Sequence, residues 1–208
     1  MPLNEEGKKR EKFKKLYKSW KKCKRCDLCK ERKNVVVGHG NIMSRFLIVG
    51  QNPGRNEDEE GKPFVGNSGK LLNKVLDVVG LNRDDFYITN SVACKSPGNR
   101  EPTKGERKSC SKRLNRIINI LDPTVIVCLG KIAIKSFFLY KDEYPISSCR
   151  GIYRRDKLPR VGRKRYLAIT YHPSYLVRNP GNKKIWNEWK DDWMKIAEII
   201  LREKEKGE

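Results

Sequence analysis

Three short apolar runs recur along the chain, "FLIVG" at 46–50, "FYITN" at 86–90 and "TVIVCLG" at 124–130, each ending at a Gly or Asn. A fourth, "YLAITYHPS", covers 166–174. Runs this short, rich in β-branched and aromatic residues, read as strands. Helical patterns separate them. Leu71, Leu72, Val75, Leu76 and Val79 share one face of a segment from Ser68 to Val79, and further patterns run from Lys104 to Leu121 and from Lys131 to Leu139. Strands alternating with helices predict an α/β fold, a three-layer α/β/α arrangement around a central, mainly parallel four-stranded sheet. Ligands of such sheets sit at the carboxyl ends of the strands, and Gln51, Asn90 and His172 fall there.

Two further helices flank this unit. Phe13, Leu16, Tyr17 and Trp20 recur at helical spacing within 9–22, a basic amphipathic helix whose stripe packs on the core. A last helix, about Lys184 to Glu203, carries Trp186, Trp189, Trp193 and Ile196 at spacings of three and four, which suits core packing better than base stacking. The 208 residues suit one domain over 1–208, with 1–22 as a basic N-terminal helix and 204–208 as a charged tail. Lys and Arg number 47 against 25 Asp and Glu, so the net charge of +22 predicts salt-sensitive attraction to polyanions, nucleic acid foremost. The first residues lack the apolar core of a signal peptide, and no run approaches the roughly 20 apolar residues of a membrane span. The expectation is an intracellular, cytoplasmic protein without membrane contact. Gln occurs once, at Gln51, while Lys, Glu, Arg and Ile abound, a balance that fits a thermophile's avoidance of labile amides.

In a reducing compartment seven cysteines point to metal sooner than to disulfides. "CKRC" supplies Cys23 and Cys26, Cys29 follows, and Cys94 and Cys110 flank the loop "KSPGNREPTKGERKS". A close pair can hold two corners of a site while distant cysteines supply the others, as tetrathiolate zinc and iron–sulfur centres both require. The spacing leaves zinc and a cluster open, and it allows Cys29 in place of Cys23 or Cys26. Cys128 sits in an apolar strand and reads as a small buried hydrophobe; Cys149 has no metal-type neighbour in the sequence.

The stretch "GQNPGRNEDEEGKPFVGNSGKLL", Gly50 to Leu72, invites comparison with phosphate-binding loops. A P-loop needs Gly, four residues, then Gly-Lys-Ser/Thr, but here Leu71 follows Gly69-Lys70 and Phe64 stands where the first Gly belongs. A dinucleotide fingerprint fails because the connection from strand to helix is too long. What remains is a Gly-Pro-rich turn at a strand end, an acidic run Glu57 to Glu60, and Phe64 held between Pro63 and the glycines Gly61 and Gly66. Those features describe a pocket with a stacking wall.

These residues carry a resemblance. "CKRCDLCKERKNVVVG", "EDEEGKPFVGNSGKLL", "YITNSVACKSPGNREP" with Cys110 after it, "PTVIVCLG", "RGIY" and "YHPSYLVRNP" occur in order from about Cys23 to Pro180. In this the chain resembles the family 4 uracil-DNA glycosylases, the thermostable iron–sulfur branch of the uracil-DNA glycosylase superfamily. The resemblance implies a [4Fe–4S] cluster on Cys23, Cys26, Cys94 and Cys110, structural in role, with Cys29 an extra. It implies a monofunctional base-excision repair enzyme. Its partner would be uracil-containing DNA, single- or double-stranded, bound by a monomer that is nucleoid-associated in a prokaryotic cytoplasm. No sequence feature names a protein partner such as a sliding clamp.

The resemblance also assigns roles. Phe64, Asn90, Gly50 and Glu57 would bind the base, Phe64 by stacking and Asn90 through an amide that pairs with uracil O4 and N3–H but mismatches cytosine. Taken alone, an Asn at a strand end is equally a turn or cap. His172 would donate to the charge that develops at uracil O2, as a neutral imidazole or as a cation. Ser174, with backbone amides near Gly66 to Gly69, would contact phosphates, and Leu176 or Arg178 would fill the gap left by the flipped nucleotide. The chain departs from the family at Gly50-Gln51-Asn52-Pro53-Gly54, where family 4 usually has Gly-Glu-Ala/Gly-Pro-Gly. Loss of that carboxylate shifts the expected catalytic set to Asn52, which would orient water, with Gln51 beside it and His172 opposite. Glu57 or Asp58 would be the fallback bases. A broader substrate range, to hypoxanthine or mismatched thymine, is a second expectation. The rival readings are an inactive iron–sulfur DNA-binding protein of the same fold and a zinc-containing nucleic-acid module.

Overall fold

The computed structural model describes residues 4–137, 146–155 and 165–206. Helix α1, Glu5–Trp20, starts where the Asn4 side chain accepts from the Gly7 amide at 2.8 Å and where Glu5 and Glu6 face the positive end of the helix dipole. It therefore begins four residues before the expected start at residue 9. Phe13, Leu16 and Trp20 are buried, whereas Tyr17 is 38% exposed and reaches inward only through its hydroxyl, 3.0 Å from that of Tyr87.

The sheet has six strands rather than the expected four: β1 His39–Gly40, β2 Phe46–Gly50, β3 Tyr87–Asn90, β4 Val125–Leu129, β5 Gly151–Arg155 and β6 Arg165–Thr170, in the order β1-β3-β2-β4-β6-β5. The four central strands are mutually parallel, and both added strands are antiparallel edges. Edge strands are short or charged because an apolar edge would recruit other chains. A two-residue strand and "GIYRR" accordingly carry no apolar periodicity to read. The run 166–174 is likewise a strand only to Thr170, after which Pro173–Val177 forms a short helix.

Side chains alternate across the sheet although the central strands are buried throughout. Leu47, Val49, Ile126 and Cys128 join one core with α1, α4 (Lys104–Leu121) and α5 (Lys131–Phe137). Phe46, Ile48, Val125 and Val127 join another with α3 (Asn67–Val78) and the last helix, α8 (Lys183–Glu205). Helices thus cover both faces, as the α/β/α reading requires. Short helices α2 (Arg55–Glu60), α6 (Ile146–Cys149) and α7 (Pro173–Val177) lie in the connections. Trp189, Trp193 and Ile196 are buried, while Trp186 is only half-buried. The expected end of α5 at Leu139 and the last two residues of the charged tail lie outside the described residues; α8 itself takes in residues 204 and 205. No helix among the described residues is long and apolar enough to cross a membrane.

Candidate active site and cysteine cluster

The carboxyl ends of β2, β3 and β6 meet at a cavity of about 370 Å³ whose walls include Gln51, Asn52, Phe64, Asn90, Glu101 and His172. Parallel register places Gly50 beside Asn90. A Cβ on Gly50 would overlap the Asn90 side-chain oxygen and come within 2.5 Å of Phe64 Cζ, so only glycine lets the aromatic wall and the amide meet. Phe64 itself has a left-handed φ of 54°, strained for an aromatic residue. Its carbonyl is so close to Gly69 that any side chain there would collide with it. The ring is buried, and its centroid lies 5.7 Å from that of His172, tilted by 35°.

The loop holding Phe64 closes on Glu57. One carboxylate oxygen accepts from the Val65 and Gly66 amides at 2.9 and 2.8 Å, and the other accepts from Gly54 at 3.0 Å. Glu57 lines the cavity, but its oxygens are engaged in binding the loop backbone. Asp58 is equally committed, accepting from the Lys33 amide at 2.9 Å and the Asn34 amide at 3.1 Å. Neither presents a free carboxylate to a substrate, which corrects the fallback role expected for them as bases. The Gly66 amide is also taken, so it does not join the expected phosphate contacts.

Asn90 is 2% exposed, and among the described residues its side-chain amide has no hydrogen-bond partner. Its backbone is held from beneath by Arg113 of α4, a fully buried guanidinium. Arg113 donates to the Asn90 carbonyl, to Val37 O at 2.6 Å and to Thr89 Oγ1 at 2.7 Å. Those partners are neutral and no carboxylate pairs with it among the described residues. Asn52 Nδ2 donates to Pro53 O at 3.1 Å, which leaves Oδ1 as the acceptor at the cavity wall. The Gln51 carbonyl accepts from the Val92 amide at 3.2 Å, which fixes the backbone from which its side chain enters the cavity.

His172 caps α7. Its Nδ1 accepts from the Ser174 amide at 3.1 Å and lies 2.9 Å from Ser174 Oγ. A nitrogen that accepts an N–H carries no proton, so the neutral ring is protonated on Nε2. Burial, with Arg178 next in effect, pushes the His172 pKa down to about 4. Sequence alone left neutral and cationic forms open; the surroundings select the neutral one.

Ser174 is thereby bound to His172, and its hydroxyl also accepts from Arg178 at 3.2 Å, so its first task is to orient the imidazole. Leu176 is 8% exposed: it packs with Leu72 and Trp189 and lines a groove beside the cavity, so most of the side chain is already buried without DNA. Tyr175, Val177 and Arg178 are the exposed residues of that turn. Asn99, Glu101 and Ser68 line the cavity and were missed in the sequence; the cysteines flanking the loop of Asn99 and Glu101 were the available signal. His39 is exposed on β1 and does not line the cavity.

The cysteines gather on the α1 and α4 side of the sheet. Cys23, Cys26, Cys94 and Cys110 line one pocket with Trp20, Leu28 and Val92, whereas Cys29 does not. The Thr103–Glu106 capping box starts the helix that carries Cys110, and Arg100 forks onto Glu106 at 2.9 and 2.7 Å. Arg32 donates to Cys94 Sγ at 3.5 Å and to Cys23 O. Burial pushes the Cys94 thiol up to about 12, so only a bound cation would make it a thiolate. Among the described residues no three potential ligands stand close enough to share one metal ion. A single tetrahedral zinc with bonds of about 2.3 Å would hold its thiolates within about 4 Å of one another. A cluster spreads four thiolates over separate irons. What the structure shows is four thiols lining one largely apolar pocket, the donor set that either centre would use. Cys128 is fully buried in β4, as expected of a small hydrophobe, and Cys149 is half-buried.

Residues 37–192 match the family model of the uracil DNA glycosylase superfamily. The chain is 44% identical over 152 residues to the type-4 uracil-DNA glycosylase of Thermotoga maritima, covering 73% of this chain and 76% of that one. It is 39% identical to the type-4 uracil-DNA glycosylase of Archaeoglobus fulgidus, over 83% and 85% of the two chains. The type-4 uracil-DNA glycosylase of Sulfurisphaera tokodaii is 38% identical, over 83% and 78%.

Proposed function

Because the chain belongs to the uracil-DNA glycosylase superfamily, and within it to the type-4 family, we propose that it flips uracil out of DNA and hydrolyses the N-glycosidic bond, leaving an abasic site. The observation that carries the detailed reading is the convergence of Phe64, Asn90 and His172, from three separate segments, on one cavity.

Rotating a nucleotide out of the stack costs a few kcal/mol. Phe64 recovers part of that by stacking on the base, worth about 1–3 kcal/mol. Asn90 offers an unengaged amide to uracil O4 and N3–H, and Arg113 holds its backbone still. As the bond breaks, negative charge gathers at uracil O2, and the His172 Nε2–H donates to it. A neutral donor suffices, because a preorganised hydrogen bond in a dry site strengthens as the charge develops. Asn52 Oδ1 orients the attacking water. No general base is required if the sugar carries most of the positive charge, which would let the site work with Gln51-Asn52 and no carboxylate directly after β2.

Cys23, Cys26, Cys94 and Cys110 would hold a [4Fe–4S] cluster, whose chemistry is that of a structural cross-link, since hydrolysis transfers no electrons. It would tie the segment after α1 to the loop beyond β3 and to α4. The enzyme acts as a monomer on uracil-containing DNA, with lysines and arginines on the phosphates.

The test is a uracil-containing oligonucleotide incubated with the protein and then cleaved at abasic sites with alkali. Asn90→Ala and His172→Ala should each lose about 100-fold or more in single-turnover rate, the usual size for removing a transition-state donor. Asn52→Ala should lose rate with binding intact; an unchanged rate removes the water-orienting role. A panel with hypoxanthine and mismatched thymine reads the substrate range, and activity on uracil alone would end the broader-range reading.

A further inference from the structure

A second concavity, a groove of about 650 Å³, lies between α3 and the α7–α8 junction. It shares walls with the base cavity. Helix α7 presents Ser174 and Arg178 to the cavity and Leu176 and Val177 to the groove. Helix α3 likewise turns Ser68 to one, and Lys70 and Lys74 to the other. The groove is mainly apolar, and its end wall is Trp186, the half-buried member of the tryptophan series. Lys74 Nζ lies 5.4 Å from the centre of that ring, and Lys183 completes a rim of three cations with no carboxylate among the lining residues.

We propose that this groove takes a second, unstacked nucleotide of the same DNA strand, its base against Trp186 and its phosphates on Lys70, Lys74 and Lys183. An aromatic wall within a cationic rim is the general form of a single-strand site, because every base has a π face and every nucleotide a phosphate. The incoming base displaces the Lys74 ammonium from the ring, and the freed cation turns to phosphate. A helix is about 10 Å across and stacked nucleotides rise about 3.4 Å along a strand. Across α7 the groove therefore lies at most about three nucleotides from the flipped one, fewer where the strand between them is extended.

The register rests on the glycosylase reading, so binding and excision are measured separately. In a series of oligonucleotides extended one nucleotide at a time on either side of a single uracil, KM should fall about tenfold by the time one arm reaches about three nucleotides, the size of one base–aromatic stack. Trp186→Ala should erase that step with kcat on long substrates unchanged, and Trp186→Phe should keep it. Lys70→Glu with Lys183→Glu, two exposed changes that leave the core intact, should weaken binding and reduce the salt dependence by about two phosphate contacts. 2-Aminopurine in a uracil-free single strand should lose fluorescence on binding to the wild type and not to Trp186→Ala. A length step that survives Trp186→Ala, an unchanged 2-aminopurine signal, or a groove that instead binds acidic peptide would overturn the proposal. Quenching without any uracil excision would leave the groove standing and remove the glycosylase reading.

Discussion

Ser174 holds His172 through a single ring nitrogen: its amide donates to Nδ1 at 3.1 Å and its hydroxyl lies 2.9 Å from the same atom. A helix cap thus sets the tautomer of a ring that lines the cavity. One side chain both caps α7 and reaches the cavity because His172 stands where β6 ends and α7 begins.

The pH dependence follows from that contact. With the His172 pKa depressed to about 4, the single-turnover excision rate should run level through the ordinary imidazole range near 6.5 and fall only on approach to about 4. An inflection near 6.5 that disappears in His172→Gln would sink the neutral-donor account. Stability has a linked sign. Between the two values the unfolded chain binds the extra proton, so stability is full above about 6.5 and is lost as pH falls towards 4. Urea unfolding of His172→Gln should show a smaller loss across that window than the wild type.

Gly50→Ala tests the junction of the aromatic wall and the amide. Its Cβ would enter both Phe64 and the Asn90 side chain, and overpacking of this kind costs about 1–3 kcal/mol. Excision should fall at least about tenfold, since near-angstrom displacement of a positioning group costs that much or more. Full activity with an unchanged urea midpoint would show that the junction yields easily.

Arg113→Met removes a buried cation that donates to the Val37 and Asn90 carbonyls. The Val37 carbonyl keeps the Thr89 hydroxyl at 2.7 Å, so the cost falls on the Asn90 carbonyl, about 1–3 kcal/mol for a buried acceptor that loses its donor, and the released Asn90 should raise KM for uracil DNA. Arg113→Lys retains the charge with fewer donors and should fall between the two. Denaturant unfolding and steady-state kinetics on the same preparations check both effects.

Cysteine replacement separates the four pocket-lining thiols from the fifth nearby. Cys94→Ser and Cys110→Ser should lose bound iron and visible colour and expose the segment around Cys23 to protease, whereas Cys29→Ser should keep all three properties. Equal iron loss in Cys29→Ser and Cys23→Ser would redraw the ligand set. A colourless, zinc-containing wild type would replace the cluster altogether.

The central strands and the helices between them were readable because burial on both faces imposes long apolar patterns, as in Phe46 to Gly50 and Val125 to Leu129. The strand-end positions of Gln51, Asn90 and His172 followed from the same reading. The edge strands β1 and β5 were not readable. Pairing, which leaves no periodic mark in two or five residues, is what makes them strands.

At the site the division is similar. The chain's own letters determine that a Gly, an aromatic, an Asn, a His and spaced cysteines exist, and that Gln51-Asn52 follow the apolar run 46–50. Only the tertiary structure decided their uses. Glu57 and Asp58 read as free acids until loop closure brought backbone amides onto both, and Leu176 read as an exposed wedge until packing with Leu72 buried most of it. Arg113 passed as one basic residue among 47 until packing buried it under Asn90. The reason is physical: local sequence sets which conformations are cheap, whereas a side chain's partners, dielectric and protonation depend on residues far along the chain that folding brings into contact.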